Sequence, residues 1–261
     1  MTDITALQLI KRILDKTGAA NRAQTIDRIS AGDPTRAVTG IAVMAMATLG
    51  GLKAAAAANR NLVLTYDPAF WSTNDDLDHL ENDPLFVEKR DLIRANNMVL
   101  FNLHDHWRDR MPDGIAAGMA QMLGWQADAT NANQFRRPST TLLTLAQELG
   151  TKLDDKTLRV VGDPKLPIGT VAASFGNTAQ MPGIALLNGP ADVVICGYAH
   201  EWETVEYAQD MIAAGLKKGL ILLGENASVS AGMKYCADWV GSFVTEVPVQ
   251  FFPAPEPYWT P

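Results

Sequence analysis

The chain reads as an α/β protein, with two entwined lobes whose parallel-rich mixed sheets are flanked by helices. Three observations predict this. Short apolar runs such as Leu62–Leu64 and "LILL" show no polar alternation, as expected of strands covered on both faces. Strand-like and helix-like segments alternate, so parallel neighbours joined by crossover helices are expected. A chain of 261 residues, 47% hydrophobic and 20% charged, can bury a sizeable core.

The elements follow in order. "MTDITALQLIKRILDKTG" reads as an amphipathic helix, without the basic-then-apolar order of a signal peptide. "GDPTRAVTGIAVMAM" carries a turn and then a strand, Gly40 to Met46, and "TLGGLKAAAAANR" is an alanine-rich helix. The next strand runs to Tyr66 and stops at Asp67 and Pro68, because Pro68 cannot donate to a ladder. "STNDDLDHLENDP" is an acidic loop, "LFVEKRDLIRANN" a helix, "MVLFNLHDHW" a strand, and a further helix starts at Pro112.

The second half repeats the theme. "TLRVVGD" and "ADVVICG" are strand-like, "MPGIALLNGP" is a short helix, and "ETVEYAQDMIAAGLKKG" is an amphipathic one. "LILLGE" is a buried strand, "VSAGMKYCADWVGSF" a closing helix capped by Ser228 or Ser230, and the proline-rich tail an extended arm. The polar stretch "QADATNANQFRRPST" reads as a surface loop. The expected division is residues 1–130, a connecting or cleft-covering segment 131–150, and residues 151–261 with the tail.

The net charge of −7 argues against nucleic acid as a partner. Cys196 and Cys236 form no CxxC pair, which argues against a disulfide framework or thiolate zinc site. No apolar run reaches the roughly 18 residues that span a membrane. A cytoplasmic setting is expected. "PKLPIGTVAASFG" resembles a phosphate loop only loosely, and no GxSxG elbow is present.

Several strands end on polar residues: Tyr66 and Asp67, then His104 to Asp109, then Glu225. Open α/β sheets place ligands at such ends. "LHDHWRD" holds two of the four histidines, with His104 and His106 on one side if the strand continues that far. Mixtures of His and Asp suit zinc, manganese or iron; the bland alternative is a solvated loop. His200, Glu201 and Glu203 lie at the start of a helix, where the dipole favours the carboxylates.

In this order, "GDPTRAVTGIAV", "NLVLTYDPAFW", "LHDHWRDRMPDGIAAGMAQMLGW", "LPIGTVAASFG", "ADVVICG" and "GLILLGENASVSAGM" resemble the Nif-three-like family of dinuclear-metal-centre hexameric proteins, homologues of GTP cyclohydrolase type 2. The resemblance implies a metal pair held between two α/β lobes in a toroidal hexamer. Its ligand positions fall on Tyr66 and Asp67, on His104 and Asp109 with His106 competing, and on Glu225 and Val229. Tyr66 and Glu225 stand where histidines are expected, and Val229 cannot coordinate. The remaining set, Asp67, His104, His106, Asp109 and Glu225, suits one divalent ion (manganese, iron or zinc) or none. The expected function is a metal-dependent hydrolase of a small polar ring, amide or nucleotide-like substrate. Glu201 or Asp105 would be its general base and Tyr66 a proton or hydrogen-bond donor. The alternative is a metal-free relative acting as a binding or scaffold oligomer. A homo-oligomer, for which the resemblance implies a hexamer, with a small-molecule substrate and neither nucleic acid nor membrane, is the expected setting.

Overall fold

The computed structural model describes residues 4–72, 77–128 and 131–261, which form two compact units. The first comprises Met1–Ile115 and Gly232–Ala254, the second Ala116–Ala231 and Pro255–Pro261.

The first unit opens with α1 (Ala6–Thr17). Thr5 and Gln8 form a reciprocal capping box at its start, and Gly18 in the left-handed conformation (φ 68°) ends it. The strand β1 (Ile29–Ala31) follows, then β2 (Ile41–Met44), α2 (Leu49–Ala57) and β3 (Leu62–Thr65). After them come α3 (Pro84–Ala95), β4 (Val99–Asn102) and the single-turn helix α4 (Asp105–Asp109). The sheet order is β1-β4-β3-β2 and then the late strand Val249–Phe251. All neighbours are parallel except β1, which is antiparallel to β4. Every residue of β2, β3 and β4 is buried, as their unbroken apolar runs predict. One face carries Ala42, Met44, Val63 and Leu100 against Leu52 of α2 and Phe86 and Ile93 of α3. The helix α3 starts where Asp83 caps it and Pro84 takes the first position.

The helix α5 (Gly114–Leu123) starts two residues later than the sequence predicts, and the chain enters the second unit within it. There follow β5 (Ala127–Asp128), β6 (Asn131–Thr141), α6 (Leu142–Leu153), β7 (Arg159–Val161) and β8 (Pro167–Asn177). Then come α7 (Gln180–Asn188), β9 (Val193–Tyr198), a π-helical turn Glu201–Val205, α8 (Glu206–Ala213) and β10 (Gly219–Leu222). The sheet order is β5-β6-β8-β9-β10-β7, with β8, β9 and β10 parallel and the rest antiparallel. The helix α9 (Glu225–Gly241) returns the chain to the first unit, where the last strand, β11 (Val249–Phe251), completes the sheet. Among the described residues no helix is long and apolar enough to cross a membrane.

Three local expectations are corrected. "QADATNANQFRRPST" is not a surface loop, because most of it forms β5 and β6. Ser228 and Ser230 do not cap α9, which starts at Glu225. Ser228 lies inside it, donating to the Glu225 carbonyl (2.8 Å) and accepting from Gly176 N (3.0 Å). The acidic loop contains a 3-10 turn at Asp78–Leu80, while its Thr73–Asp76 portion lies outside the described residues.

The end of β9 is packed with no room to spare. A Cβ added to Gly197 would lie 2.6 Å from the Gly176 carbonyl oxygen and 2.8 Å from its nitrogen, and would also meet Ser228 Oγ. Backbone cannot yield as a flexible side chain can, so Gly197→Ala is expected to cost about 2–4 kcal/mol. Chemical denaturation measures it, and a loss under about 1 kcal/mol would show that the strand ends can separate at little cost.

Candidate functional site

Parallel pairing of β3 with β4 brings two polar segments to the same end of the first sheet. After β3, Tyr66 N lies 3.3 Å from the Met44 carbonyl and 3.2 Å from that of Ala45, and Asp67 N donates to Ala45 at 3.0 Å. Thr65 Oγ1 donates to the Asp67 carbonyl and tightens the bend before Pro68. After β4, Leu103 N donates to the Thr65 carbonyl (2.8 Å), and His104 comes next. The Tyr66 and His104 rings then stack with centroids 4.2 Å apart and an interplanar angle of 23°.

The strand does not continue through "LHDHW" as predicted. It ends at Asn102, and Asp105–Asp109 is helical, so His104 and His106 do not share a strand face. The cause is Asp27, a residue that the sequence reading did not single out. Its Oδ1 accepts from His104 N and Asp105 N, both at 2.7 Å. Its Oδ2 accepts from His106 N at 2.9 Å and lies 2.7 Å from His106 Nδ1. One carboxylate thus caps the first turn of α4, a job that its own residues leave undone.

The same turn is held from a second side. Arg22 grips Asp109 through two bonds of 2.6 Å, Nε to Oδ2 and Nη2 to Oδ1, and reaches Asp105 Oδ1 through Nη1 at 2.8 Å. Asp105 Oδ2 also accepts from Thr25 Oγ1 (2.8 Å) and Ile26 N (3.0 Å). The bidentate pair holds the Asp109 carboxyl below its ordinary range and raises the Arg22 guanidinium. The second ring nitrogen of His106 lies 3.1 Å from Asn21 Oδ1, so both of its nitrogens are engaged.

His104 differs. Burial lowers its pKa, with the Asp105 charge opposing, so its imidazole is neutral at pH 7. It is hydrogen-bonded with the Tyr66 backbone, while its Nδ1 is buried and has no hydrogen-bond partner among the described residues.

Of the sequence-selected residues, Tyr66, Asp67, His104, Asp105, His106 and Asp109 thus lie in the first unit, on β3, β4 and their continuations. Glu201 and Glu225 belong to the second unit. Glu201 opens the π-helical turn, its side chain 76% exposed and paired with Arg159 at 2.9 Å. Glu225 is the first residue of α9, and Val229 is fully buried.

These side chains do not fit a metal ion as they are placed. Among the described residues no group of three or more His, Cys, Asp or Glu side chains is arranged to hold one. Asp105, His106 and Asp109 are each satisfied by protein partners. Asn21, Arg22, Thr25 and Asp27 were the residues missed. Their only signal in the sequence is the polar run "NRAQTIDR", which has no periodicity and no motif.

Two mixed sheets flanked by helices, with histidine and aspartate side chains at the ends of parallel strands, define the class. The chain belongs to the Duf34/NIF3 (NGG1p interacting factor 3) family, whose profile matches residues 5–216. Glu225 lies beyond the matched span. Solved structures share the fold along almost their whole length. The Bacillus cereus protein related to NIF3 has a TM-score of 0.77 at 12% identity, with 100% of both chains covered. The Staphylococcus aureus hypothetical protein SA1388 has a TM-score of 0.76 at 15% identity, covering 99% of each. TTHA1606 from Thermus thermophilus has a TM-score of 0.66 at 14% identity, covering 97% of this chain and 98% of that one. No curated protein is similar enough in sequence to match.

Proposed function

We propose that this chain is a metal-free member of its family, a binding protein that keeps the fold and assembles as a homo-oligomer. The observation that carries this reading is the position of Arg22. Its guanidinium supplies a fixed positive charge to Asp105 and Asp109, in the segment where the family resemblance places a metal ligand. A divalent cation drawing on the same carboxylates would have to displace three charge-assisted hydrogen bonds. His106 offers no lone pair without breaking its contact with Asp27 or Asn21.

One observation favours a second reading, the metal-dependent hydrolase. His104 is neutral, and its buried Nδ1 has no hydrogen-bond partner among the described residues, which leaves a nitrogen donor available beside Tyr66. Under that reading Asp105, already holding three donors, is a poor general base.

Untagged wild type and His104→Ala, incubated with manganese, iron(II) or zinc and then desalted, separate the two. Elemental analysis is expected to find well under one ion per chain in both, with light scattering reporting an oligomer for each. About one ion per chain in wild type, lost from His104→Ala, would overturn the metal-free reading in favour of the hydrolase.

A further inference from the structure

We propose that the first unit carries a binding site for a small amphipathic anion, one with an aromatic or acyl body and a single phosphate or carboxylate. The site is a cavity of about 470 Å³ between the β1 edge with its following turn and the helix α3. That volume lies in the ordinary range for small-molecule sites. None of the strand-end residues described above lines it, so the inference goes beyond the metal-free reading.

The floor is apolar. Phe70 and Phe86 meet edge to face with centroids 5.3 Å apart, and Met98 and Ile93 belong to the same core cluster. The rim is cationic. Arg36, Arg90 and Arg94 line it with one carboxylate, Asp33, and Arg90 also lies 3.3 Å from Asp91 outside the lining, so three guanidinium groups meet two carboxylates on a chain whose net charge is −7. Asp33 is itself largely spent, accepting from Thr35 N (2.9 Å) and Thr35 Oγ1 (2.7 Å) and lying 3.5 Å from Arg36 Nε. The Arg90 guanidinium lies 5.9 Å from the Phe86 centroid, so cation and apolar surface adjoin. Arg94 is exposed, and its side chain has no ion-pair or hydrogen-bond partner among the described residues.

Ser30 also lines the cavity, but its hydroxyl oxygen is buried away from the open space and takes no part in the site. Arginine forks match phosphate and carboxylate oxygens in pairs, and the phenylalanine floor takes the ligand's apolar body.

Calorimetric titration of the full chain with 1-naphthyl phosphate tests this, with inorganic phosphate and 1-naphthol as its two halves. The whole molecule is expected to bind one per chain, at least about 10-fold more tightly than either half. Arg94→Ala and Arg90→Ala should each weaken it by about 10-fold, whereas Arg136→Ala in the second unit should leave it unchanged. Ala31→Leu, which narrows the cavity, should also weaken it. Thermal unfolding of each variant confirms that it folds. His104→Ala should bind as wild type does, so failure here and failure of the metal-free reading show in separate measurements. Inorganic phosphate binding as tightly as the naphthyl ester would overturn the proposal. So would equal binding of 1-naphthol, an affinity indifferent to Arg94→Ala and Arg90→Ala, or no binding at all.

Discussion

Asp27→Ala is expected to destabilise the protein by about 3–5 kcal/mol, the largest effect of any single change at the strand ends. The Asp27 side chain is 2% exposed, and its two oxygens serve three backbone N–H groups and one imidazole. Alanine leaves all four without their acceptor. It also removes the negative charge opposite His106, in a cluster that contains Arg22. Because α4 is a single turn, only a few backbone bonds such as Arg108 N to the His104 carbonyl (2.9 Å) hold it once its first three donors lose their acceptor. Asp27→Asn should cost about half as much. The amide keeps one acceptor oxygen but turns a donor towards a group that already donates. Urea unfolding of the three proteins gives both numbers. A secondary signature is expected near Tyr66, since His104 is placed by the same carboxylate and stacks on that ring. Near-ultraviolet circular dichroism should lose intensity in Asp27→Ala even where the protein stays folded. A loss below about 1 kcal/mol would show that other groups cap the turn.

That network also marks the limit of what the sequence discloses. Buried strands are legible because burial on both faces leaves a continuous apolar run, as at Leu62–Thr65 and Gly219–Leu222. The helices α1 and α3 are legible, but their local caps, Thr5 with Gln8 and Asp83 with Pro84, were not picked out, the second pair being read as the end of the acidic loop. The cap of α4 is not local. Asp27 reaches its donors across 77 to 79 residues of chain, and Arg22 reaches Asp109 across 87. No pattern in "LHDHWRD" distinguishes an aspartate held by arginine from one that would hold a metal. The strand β6 escaped for another reason. Of its described side chains only Phe135 is buried, so it shows neither an apolar run nor alternation, and Pro138 argues against a ladder. Its identity comes from antiparallel pairing with β8, which is tertiary information. His104 and Asp67 were legible as strand-end polar residues. The engagement of their neighbours was not.

Stability should rise with pH between about 8 and 10.5, through Lys89. This lysine is 2% exposed, and burial lowers its pKa from 10.5 to about 8. Above pH 8 the folded chain has released this proton, whereas the unfolded chain keeps it until about pH 10.5. The unfolded state therefore binds more protons across that window, and the gap widens in favour of the folded state as pH rises. The difference between the two pKa values corresponds to a gain on the order of 3 kcal/mol. Below pH 8 the ammonium is kept inside at a cost that local contacts partly offset. Its Nζ donates to the Ala69 carbonyl and lies 5.3 Å from the Phe70 centroid and 4.9 Å from that of Trp71. Lys89→Met keeps the apolar stem without the charge. At pH 7 it should match or exceed wild type in stability, since an uncharged side chain of similar volume avoids the desolvation. By pH 10.5 wild type should have closed the gap, and other alkaline titrations cancel when the two proteins are compared at each pH. Parallel stability curves from pH 7 to 10.5 would mean that the Lys89 contacts already compensate its burial in full. The contrast has a structural reading too. Lys89 ties the segment after Pro68 to α3 through Ala69 and Phe70, so the group that titrates is also the one that anchors the apolar floor of the arginine-rimmed cavity.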